Sequence, residues 1–394
     1  MSRSEIAGAG PRLATLAGAV LGCSCLVAAS PYPGTAQVER WTLERTVTIG
    51  DAFDPETGLT RVGDVIVLGD RLLVTQDLER RVRVFSLTGD FLGFIGRGGE
   101  GPGEFRNVGS MGLHDGRMWI DSGSRRLQYF DAEGRLVSSE RIEGHPALLG
   151  ATVQGVLQDG SRLFKHTVSA GELVESPPKP EAVVLVDPEG LPWDTVAMIV
   201  GRSGITQFVG SGWTSYVSIP ESYRSLLSVA PDGSGFVVVH RTGATSAEPH
   251  TFRVIRFDAR ADTAWAHEVP YDPIPVPREW RTRHVEEYVH DFGEFRGFPP
   301  GRVRQVWERA FGRLEFFPPV GDVQAGTDGT TWLLLRTGVE SSEWEVLDES
   351  GHTVARADPP PRGSIRWADA ESLWFVERDE LDVPYLVRYL IRRP

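Results

Sequence analysis

Cysteine is nearly absent from this chain, and no apolar run outside its first 36 residues is long. The 394 residues include two cysteines, Cys23 and Cys25. If an N-terminal leader is removed after Ala36, the mature chain has no cysteine, which excludes a disulfide framework, a thiolate nucleophile and a cysteine metal site. No later apolar run approaches transmembrane length, so we expect no transmembrane segment in the mature body.

Positive charge is also scarce. The chain has 41 basic residues against 54 acidic ones, a net charge of −13, and only Lys165 and Lys179 are lysines. This balance disfavours a nucleic-acid surface. The composition, 40% hydrophobic and 24% charged, is that of an ordinary globular protein. The length of 394 residues is enough for one large repeat domain or two smaller domains.

Familiar catalytic motifs are missing as well. The chain has neither His-Glu-x-x-His nor Gly-x-Ser-x-Gly. A Gly-x-Gly-Gly-x-Gly string occurs at 96–101, but Pro102 follows and no helix opens after it, so the usual dinucleotide site at a helix N-terminus is not expected. We therefore expect no cofactor.

Residues 1–36 have the features of an export signal. A weakly basic start precedes an apolar stretch from Leu13 to Ala29, and Thr35-Ala36 forms a plausible cleavage site. Val20-Leu21-Gly22-Cys23 also resembles a bacterial lipobox, in which case the signal ends at residue 22 and Cys23 carries a lipid anchor. Either alternative predicts an exported protein, in the periplasm or associated with the outer membrane.

The body of the chain contains a repeat. Arg71-Leu72-Leu73-Val74 leads through a turn to Val82-Arg83-Val84-Phe85 and then to a Gly turn. After about 45 residues, Arg117-Met118-Trp119-Ile120 leads to Leu127-Gln128-Tyr129-Phe130 and another Gly turn. A period of this length, built from short alternating strands, indicates β-propeller blades.

We predict an all-β fold, a six-bladed β-propeller of four-stranded antiparallel blades that occupies residues 37–394. The predicted blades lie at about 62–96, 107–143, 149–200, 224–270, 321–357 and 365–391. The last blade is one strand short, so the lone N-terminal strand Trp41 to Ile49 should complete it and close the ring. A short helical insertion, at 273–317, separates blades four and five, and we expect Trp119, Trp332 and Trp374 to pack between blades.

One segment resembles a known family. The string Ile95-Gly96-Arg97-Gly98-Gly99-Glu100-Gly101-Pro102-Gly103-Glu104-Phe105 is similar to the inter-blade loop of exported bacterial six-bladed β-propellers of the NHL-repeat and TolB-like kind. The clear similarity covers about 65–142. The resemblance implies the fold far more strongly than a function.

In a propeller, the inter-blade loops and the ends of the second strands share one face, which we call the upper face. Loops on a rigid scaffold commonly carry binding residues. The second strands end at Thr75 to Asp77, Asp121, His166, His240, Arg336 and Glu377. With Arg97 of the glycine-rich loop and Arg241, these residues form the predicted ligand-binding ring, and the helical insertion could cap it.

Each ring residue also has a structural interpretation. Asp121 could cap its own turn, and the two arginines could form local ion pairs or bind an anion. His166, His240, Asp121 and Glu377 could instead bind one divalent metal, Zn or Ca, although two histidines are few for zinc and the oxygen ligands for calcium are not evident.

We therefore predict a monomeric, non-catalytic binding or scaffold propeller that recognises a peptide, a glycan or an envelope protein on its upper face. The alternative is a metal-dependent hydrolase or lyase, similar to lactonases of related fold, with its site in the central channel.

Overall fold

The computed structural model describes most of the chain: residues 30–31, 38–123, 125–142, 148, 150–166, 180–189, 192–201, 205–209, 214–218, 222–241, 250–296, 299–360 and 363–394. Cys23 and the rest of the predicted leader, apart from residues 30–31, lie outside these ranges. No helix in the described part is both long and apolar enough to span a membrane.

Six four-stranded antiparallel blades make up the fold, as the repeat predicts. Three strands precede the first blade: β1 (Ser30–Pro31), β2 (Glu39–Arg40) and β3 (Thr42–Ile49). Blades one to three consist of β4 (Val62–Leu68), β5 (Arg71–Gln76), β6 (Arg81–Ser86), β7 (Phe91–Ile95); β8 (Met111–His114), β9 (Arg117–Asp121), β10 (Arg126–Phe130), β11 (Leu136–Arg141); and β12 (Ala151–Val156), β13 (Arg162–His166), β14 (Pro180–Val186), β15 (Pro192–Val200).

A hairpin that the sequence did not predict, β16 (Ile205–Val209) and β17 (Thr214–Ser218), follows the third blade. Blades four and five consist of β18 (Leu226–Val229), β19 (Gly235–His240), β20 (Thr251–Asp258), β21 (Thr263–Pro270); and β22 (Val320–Ala325), β23 (Thr331–Arg336), β24 (Ser342–Leu347), β25 (Thr353–Ala357). Blade six consists of β26 (Gly363–Ala368), β27 (Ser372–Arg378), β28 (Pro384–Arg392) and the N-terminal β3.

The ring closes where the two ends of the chain meet. Strand β3 pairs antiparallel with β28 along its whole length, from Leu386 opposite Ile49 to Arg392 opposite Thr42. This confirms the predicted closure, because the N-terminal strand supplies the fourth strand that blade six lacks. Ile49 is 2% exposed and belongs to the hydrophobic cluster that blades six, one and two share.

The other two N-terminal strands add to the outer edges of neighbouring blades. Strand β1 pairs in parallel with β21, the outermost strand of blade four, and β2 pairs in parallel with β25, the outermost strand of blade five. Residues 30–31, 39–40 and 42–49 thus pair with blades four, five and six in turn.

The insertion between blades four and five forms two helices, α1 (Arg278–Arg296) and α2 (Pro300–Gly312). Their apolar residues, among them Trp280, Trp307 and Phe311, form a separate cluster that also contains Tyr223 and Val339. The insertion is thus anchored to the flanking blades through side chains on both sides of it.

Apolar residues of neighbouring blades fill the spaces between them. Trp119, Trp332 and Trp374 are each at most 2% exposed, and each belongs to a cluster that joins adjacent blades. The expectation that these tryptophans pack between blades is confirmed.

We predict that Ile49→Ala lowers the free energy of unfolding by about 2–5 kcal/mol, the usual cost of truncating a buried isoleucine. Denaturant unfolding of the variant measures the loss. Thr42→Ala is the control, because Thr42 is exposed on the same strand; its effect should stay within about 0.5 kcal/mol. Equal effects of the two substitutions would contradict closure by β3.

Candidate functional site

A cavity of about 240 Å³ lies where the inner strands of the six blades converge. We call it the channel cavity. Every blade contributes a polar side chain to it: Asp64, Ser110, Gln154, Ser228, Asp322 and Arg366, with Gln324 as a second one from blade five. All of these residues come from or directly precede the first strands of their blades, so the propeller symmetry itself gathers them.

Three of these side chains join neighbouring blades. The Asp64 carboxylate accepts a hydrogen bond from the Met111 amide at 2.8 Å, and the Ser110 hydroxyl donates to the Val153 carbonyl at 3.0 Å. The Ser228 hydroxyl accepts from the Ala325 amide at 2.9 Å. Part of the polar lining therefore holds adjacent inner strands together.

Irregular strand pairing accompanies the channel residues of blades one, three, five and six. In blade six, Ile365 pairs with Phe375 and Trp367 with Trp374, which leaves Arg366 as an extra residue in the inner strand. Gln154 is the extra residue of blade three in the same way. Such β-bulges interrupt the side-chain alternation and redirect the inserted residue.

In blade one, the bulge contains Gly63 and Asp64, which lie opposite Thr75. A Cβ atom at Gly63 would come within 2.4 Å of the Thr75 hydroxyl oxygen, and one at Gly109 within 2.8 Å of an Asp121 carboxylate oxygen. Glycine on the inner strand therefore makes room for the polar residue at the end of the second strand. The Thr75 hydroxyl uses this space to accept a hydrogen bond from the Asp64 amide at 2.7 Å.

The channel contains carboxylates and guanidinium groups together. Burial raises the pKa of Asp64 above its ordinary value of 3.8, and the Met111 amide and the charge of Arg366 partly oppose this rise. Burial likewise raises the pKa of Asp322, against the Val323 amide and the charges of Arg366, Arg224 and Arg241. Arg366 thus acts electrostatically on both carboxylates.

Arg366 itself forms no hydrogen bond or ion pair through its side chain with any residue that the structure describes, and its side chain is exposed to the cavity. A second cavity of about 240 Å³ adjoins the first between blades three and four, since Gln154 and Asp322 line both. We call it the side cavity; its charged residues are Arg224, Lys165, Glu181 and Asp322. Together the two cavities offer donors, acceptors and charges of both signs.

Neither Thr75 to Asp77 nor any of the seven other residues of the predicted ring lines the channel cavity; these seven are Arg97, Asp121, His166, His240, Arg241, Arg336 and Glu377. Arg97 is mostly exposed and pairs with Glu104 at 2.8 Å. Asp121 accepts the Gly123 amide at 2.9 Å, which is the turn cap, and burial raises the pKa of its carboxyl. His166 ends β13 opposite Ala151, half-buried.

The other four ring residues contact their own or an adjacent blade. His240 Nδ1 lies 3.2 Å from the Ser225 hydroxyl, and burial lowers the pKa of this imidazole, assisted by the charge of Arg253. Arg336 donates to the Val339 carbonyl and stacks over Phe317. Glu377 accepts from the Tyr389 hydroxyl and pairs with Arg45.

Arg241 is 7% exposed and donates three hydrogen bonds to backbone carbonyls, those of Ser222, Arg224 and Val320. These bonds tie the end of β19 to the start of the inner strand of blade five, which is a structural role.

The residues that the sequence suggested for a metal do not come together as a ligand set. Over the described ranges, no group of three or more His, Cys, Asp or Glu side chains is placed to hold a metal ion. His166, His240, Asp121 and Glu377 thus form no such group among the described residues.

A repeated motif could have revealed the channel residues. Val62-Gly63-Asp64-Val65 begins the inner strand of blade one, and Val320-Gly321-Asp322-Val323 begins that of blade five. Val108-Gly109-Ser110-Met111 is a close variant in blade two. The third residue of each motif lines the channel cavity.

We predict that Gly63→Ala destabilises the fold by about 1–3 kcal/mol, the usual cost of overpacking, because its Cβ would meet the Thr75 hydroxyl at 2.4 Å. Gly321→Ala in the matching motif is the control. Its nearest neighbour, Leu334 Cδ2, lies at 3.4 Å, an ordinary contact. Thermal unfolding compares the variants, and equal losses would argue against this packing account.

We also predict that Asp64→Asn raises the free energy of unfolding at neutral pH. Because the folded-state pKa of Asp64 lies above 3.8, the folded protein binds this proton more tightly than the unfolded chain. The contribution of Asp64 to the free energy of unfolding of the wild type is therefore greatest below pH 3.8, and it decreases as the pH rises through the folded-state pKa.

The increase in the free energy of unfolding caused by Asp64→Asn should accordingly disappear at acidic pH. Urea unfolding at several pH values measures this change. Asp70→Asn, at the exposed turn of the same blade, controls for loss of one negative charge. A pH-independent gain, or the same profile in both variants, would refute the assignment.

The first two blades of the chain are similar to a known family. A family model described as a 6-bladed beta-propeller matches residues 55–148, less than half of the chain. No curated protein matches the sequence significantly.

Three solved structures of low sequence identity align with most of this chain. One is a member of the DUF4221 family from Bacteroides vulgatus ATCC 8482, with 9% identity, a TM-score of 0.42, and an alignment that covers 90% of this chain and 99% of that one. The second is the calcium-binding protein regucalcin from Agrobacterium tumefaciens C58, with 13% identity, a TM-score of 0.40, and coverage of 89% of this chain and 94% of that one. The third is BamB from Moraxella catarrhalis, with 12% identity, a TM-score of 0.32, and coverage of 88% of this chain and 99% of that one. The family match over blades one and two and the six blades of the structure agree: the chain is a six-bladed β-propeller.

Proposed function

We propose that this chain is an exported binding propeller that recognises a peptide, a glycan or an envelope protein at its upper face. In this proposal the polar groups of the partner enter the channel cavity and the side cavity. The observation that carries it is the Arg366 guanidinium, which a β-bulge places in the cavity without a hydrogen-bonding partner in the described part of the chain.

A guanidinium group has five N–H donors in a planar fork, suited to carboxylates and to paired oxygen acceptors. Arg366 offers these donors beside Asp64 and Asp322, whose carboxylates each already accept a hydrogen bond from a backbone amide. Arg224 adds a second positive charge at the adjoining side cavity. Peptides and glycans carry closely spaced donors and acceptors that match such a mixed lining.

The carboxylates of the site accept hydrogen bonds from backbone amides. Asp64 accepts the Met111 amide and Asp322 accepts the Val323 amide at 2.9 Å. In the side cavity, the Ser225 hydroxyl accepts the Val200 amide at 3.0 Å, which links blade four to the last strand of blade three. These contacts favour a rigid, pre-formed binding surface, which lowers the entropic cost of binding.

For location, we propose that residues 1–36 direct export to the periplasm or the outer membrane, with removal after Ala36 or lipidation at Cys23. The body from 37 to 394 would then act as one binding domain, as a monomer and without a cofactor.

Peptide and glycan arrays, followed by calorimetry with the selected probe, test the function. We expect Arg366→Gln to weaken binding at least tenfold, since a hydrogen bond to a charged group contributes about 1.5–3 kcal/mol. Arg393→Gln is the control, because Arg393 is exposed at the C-terminus of the same blade and donates to the Ala370 carbonyl. Equal binding by both variants would place the recognition site outside the channel.

A further inference from the structure

A third cavity, of about 260 Å³, lies at the upper end of blade two, outside the channel. Its lining includes Arg106, Arg126 and Arg141 together with Glu100, Ser122 and Gly123. We call it the arginine cavity. Three guanidinium groups beside one acidic residue form a local excess of positive charge on a chain whose net charge is −13.

The Arg126 side chain is fixed in place by neutral acceptors. Its Nε donates to the Ser122 hydroxyl at 3.0 Å, and its two terminal nitrogens donate to the carbonyls of Glu100 at 2.7 Å and Glu104 at 2.9 Å. Three of the five N–H groups are thus used, and two remain for another acceptor. No carboxylate among the described residues forms an ion pair with this guanidinium.

Arg141 lies directly opposite Arg126 in the pairing of β11 with β10. Like charges directly opposite on adjacent strands repel each other and destabilise the pair. The Arg141 side chain is exposed and forms no hydrogen bond or ion pair with the described residues. An anion between the two side chains would reduce the repulsion between them.

We propose that the arginine cavity binds a doubly charged tetrahedral oxyanion, a phosphate or sulfate group. Guanidinium groups bind such oxygens through paired, charge-assisted hydrogen bonds, and a phosphate monoester carries about −1.5 to −2 near neutral pH, which suits two facing arginines. The site uses side chains, and it does not depend on the glycine amides of the 96–103 loop or on the proposed channel site.

Thermal unfolding of the purified protein in sodium phosphate and sodium sulfate, against sodium chloride of equal ionic strength, tests the proposal. We expect phosphate or sulfate to raise the unfolding midpoint of the wild type and chloride to have no such effect. In Arg141→Gln the shift should be lost, and the calorimetric Kd for inorganic phosphate should rise at least tenfold.

Two further readouts exclude a general loss of structure. In chloride alone, Arg141→Gln should be at least as stable as the wild type, because it removes one of two facing charges. Arg117→Gln, an exposed arginine at the opposite end of the same blade, should keep the full phosphate shift. An unchanged shift in Arg141→Gln, or equal shifts of the wild type in phosphate, sulfate and chloride, would overturn the proposal.

Glycerol phosphate as a second probe separates the sources of the group. Stronger stabilisation by glycerol phosphate than by inorganic phosphate would assign the site to an ester carried on a larger molecule. Stabilisation by the inorganic ions alone would assign it to the free ion. Either result supports an oxyanion site.

Discussion

The pairing of β3 with β28 is the constraint on which the rest of the structure depends. Without the N-terminal strand, blade six has three strands and an open edge, and the ring is not joined to itself. The channel cavity receives a side chain from every blade, so its shape requires that all six inner strands keep a fixed distance from the axis. An interaction at the rim of the molecule thereby determines the geometry at its centre.

Within that frame, the inner strands are irregular where they border the channel. Bulges at Gln154 and Arg366 and at the Gly63-Asp64 pair interrupt regular pairing, and glycines at 63 and 109 give space to polar residues of the second strands. Regular strands would alternate strictly between faces. The irregularities instead present polar groups to the axis while apolar neighbours stay buried between blades.

The sequence was sufficient for the architecture and insufficient for the lining of the channel. Strand alternation, Gly turns and a blade-length period are local patterns, and they predicted the six blades, the closing strand and the helical insertion. In blades one, three, five and six the channel side chains lie at or beside bulges, which change the register by one residue and so reverse the expected facing. Blade topology alone predicts that the ends of the second strands, such as Asp121 and His240, share one face, whereas the facing of Asp64 and Arg366 depends on these bulges. The repeated Val-Gly-Asp-Val motif was the available signal.

The parallel pairing of β2 with blade five has a consequence for how the channel is reached. Strand β2 lies along β25, the outermost strand of blade five, and β3 forms the outermost strand of blade six. Both strands are therefore on the far side of their blades from the inner strands that line the channel cavity. A label joined at residue 39 would accordingly start at the circumference of the ring, and the N-terminal strands themselves leave the channel uncovered.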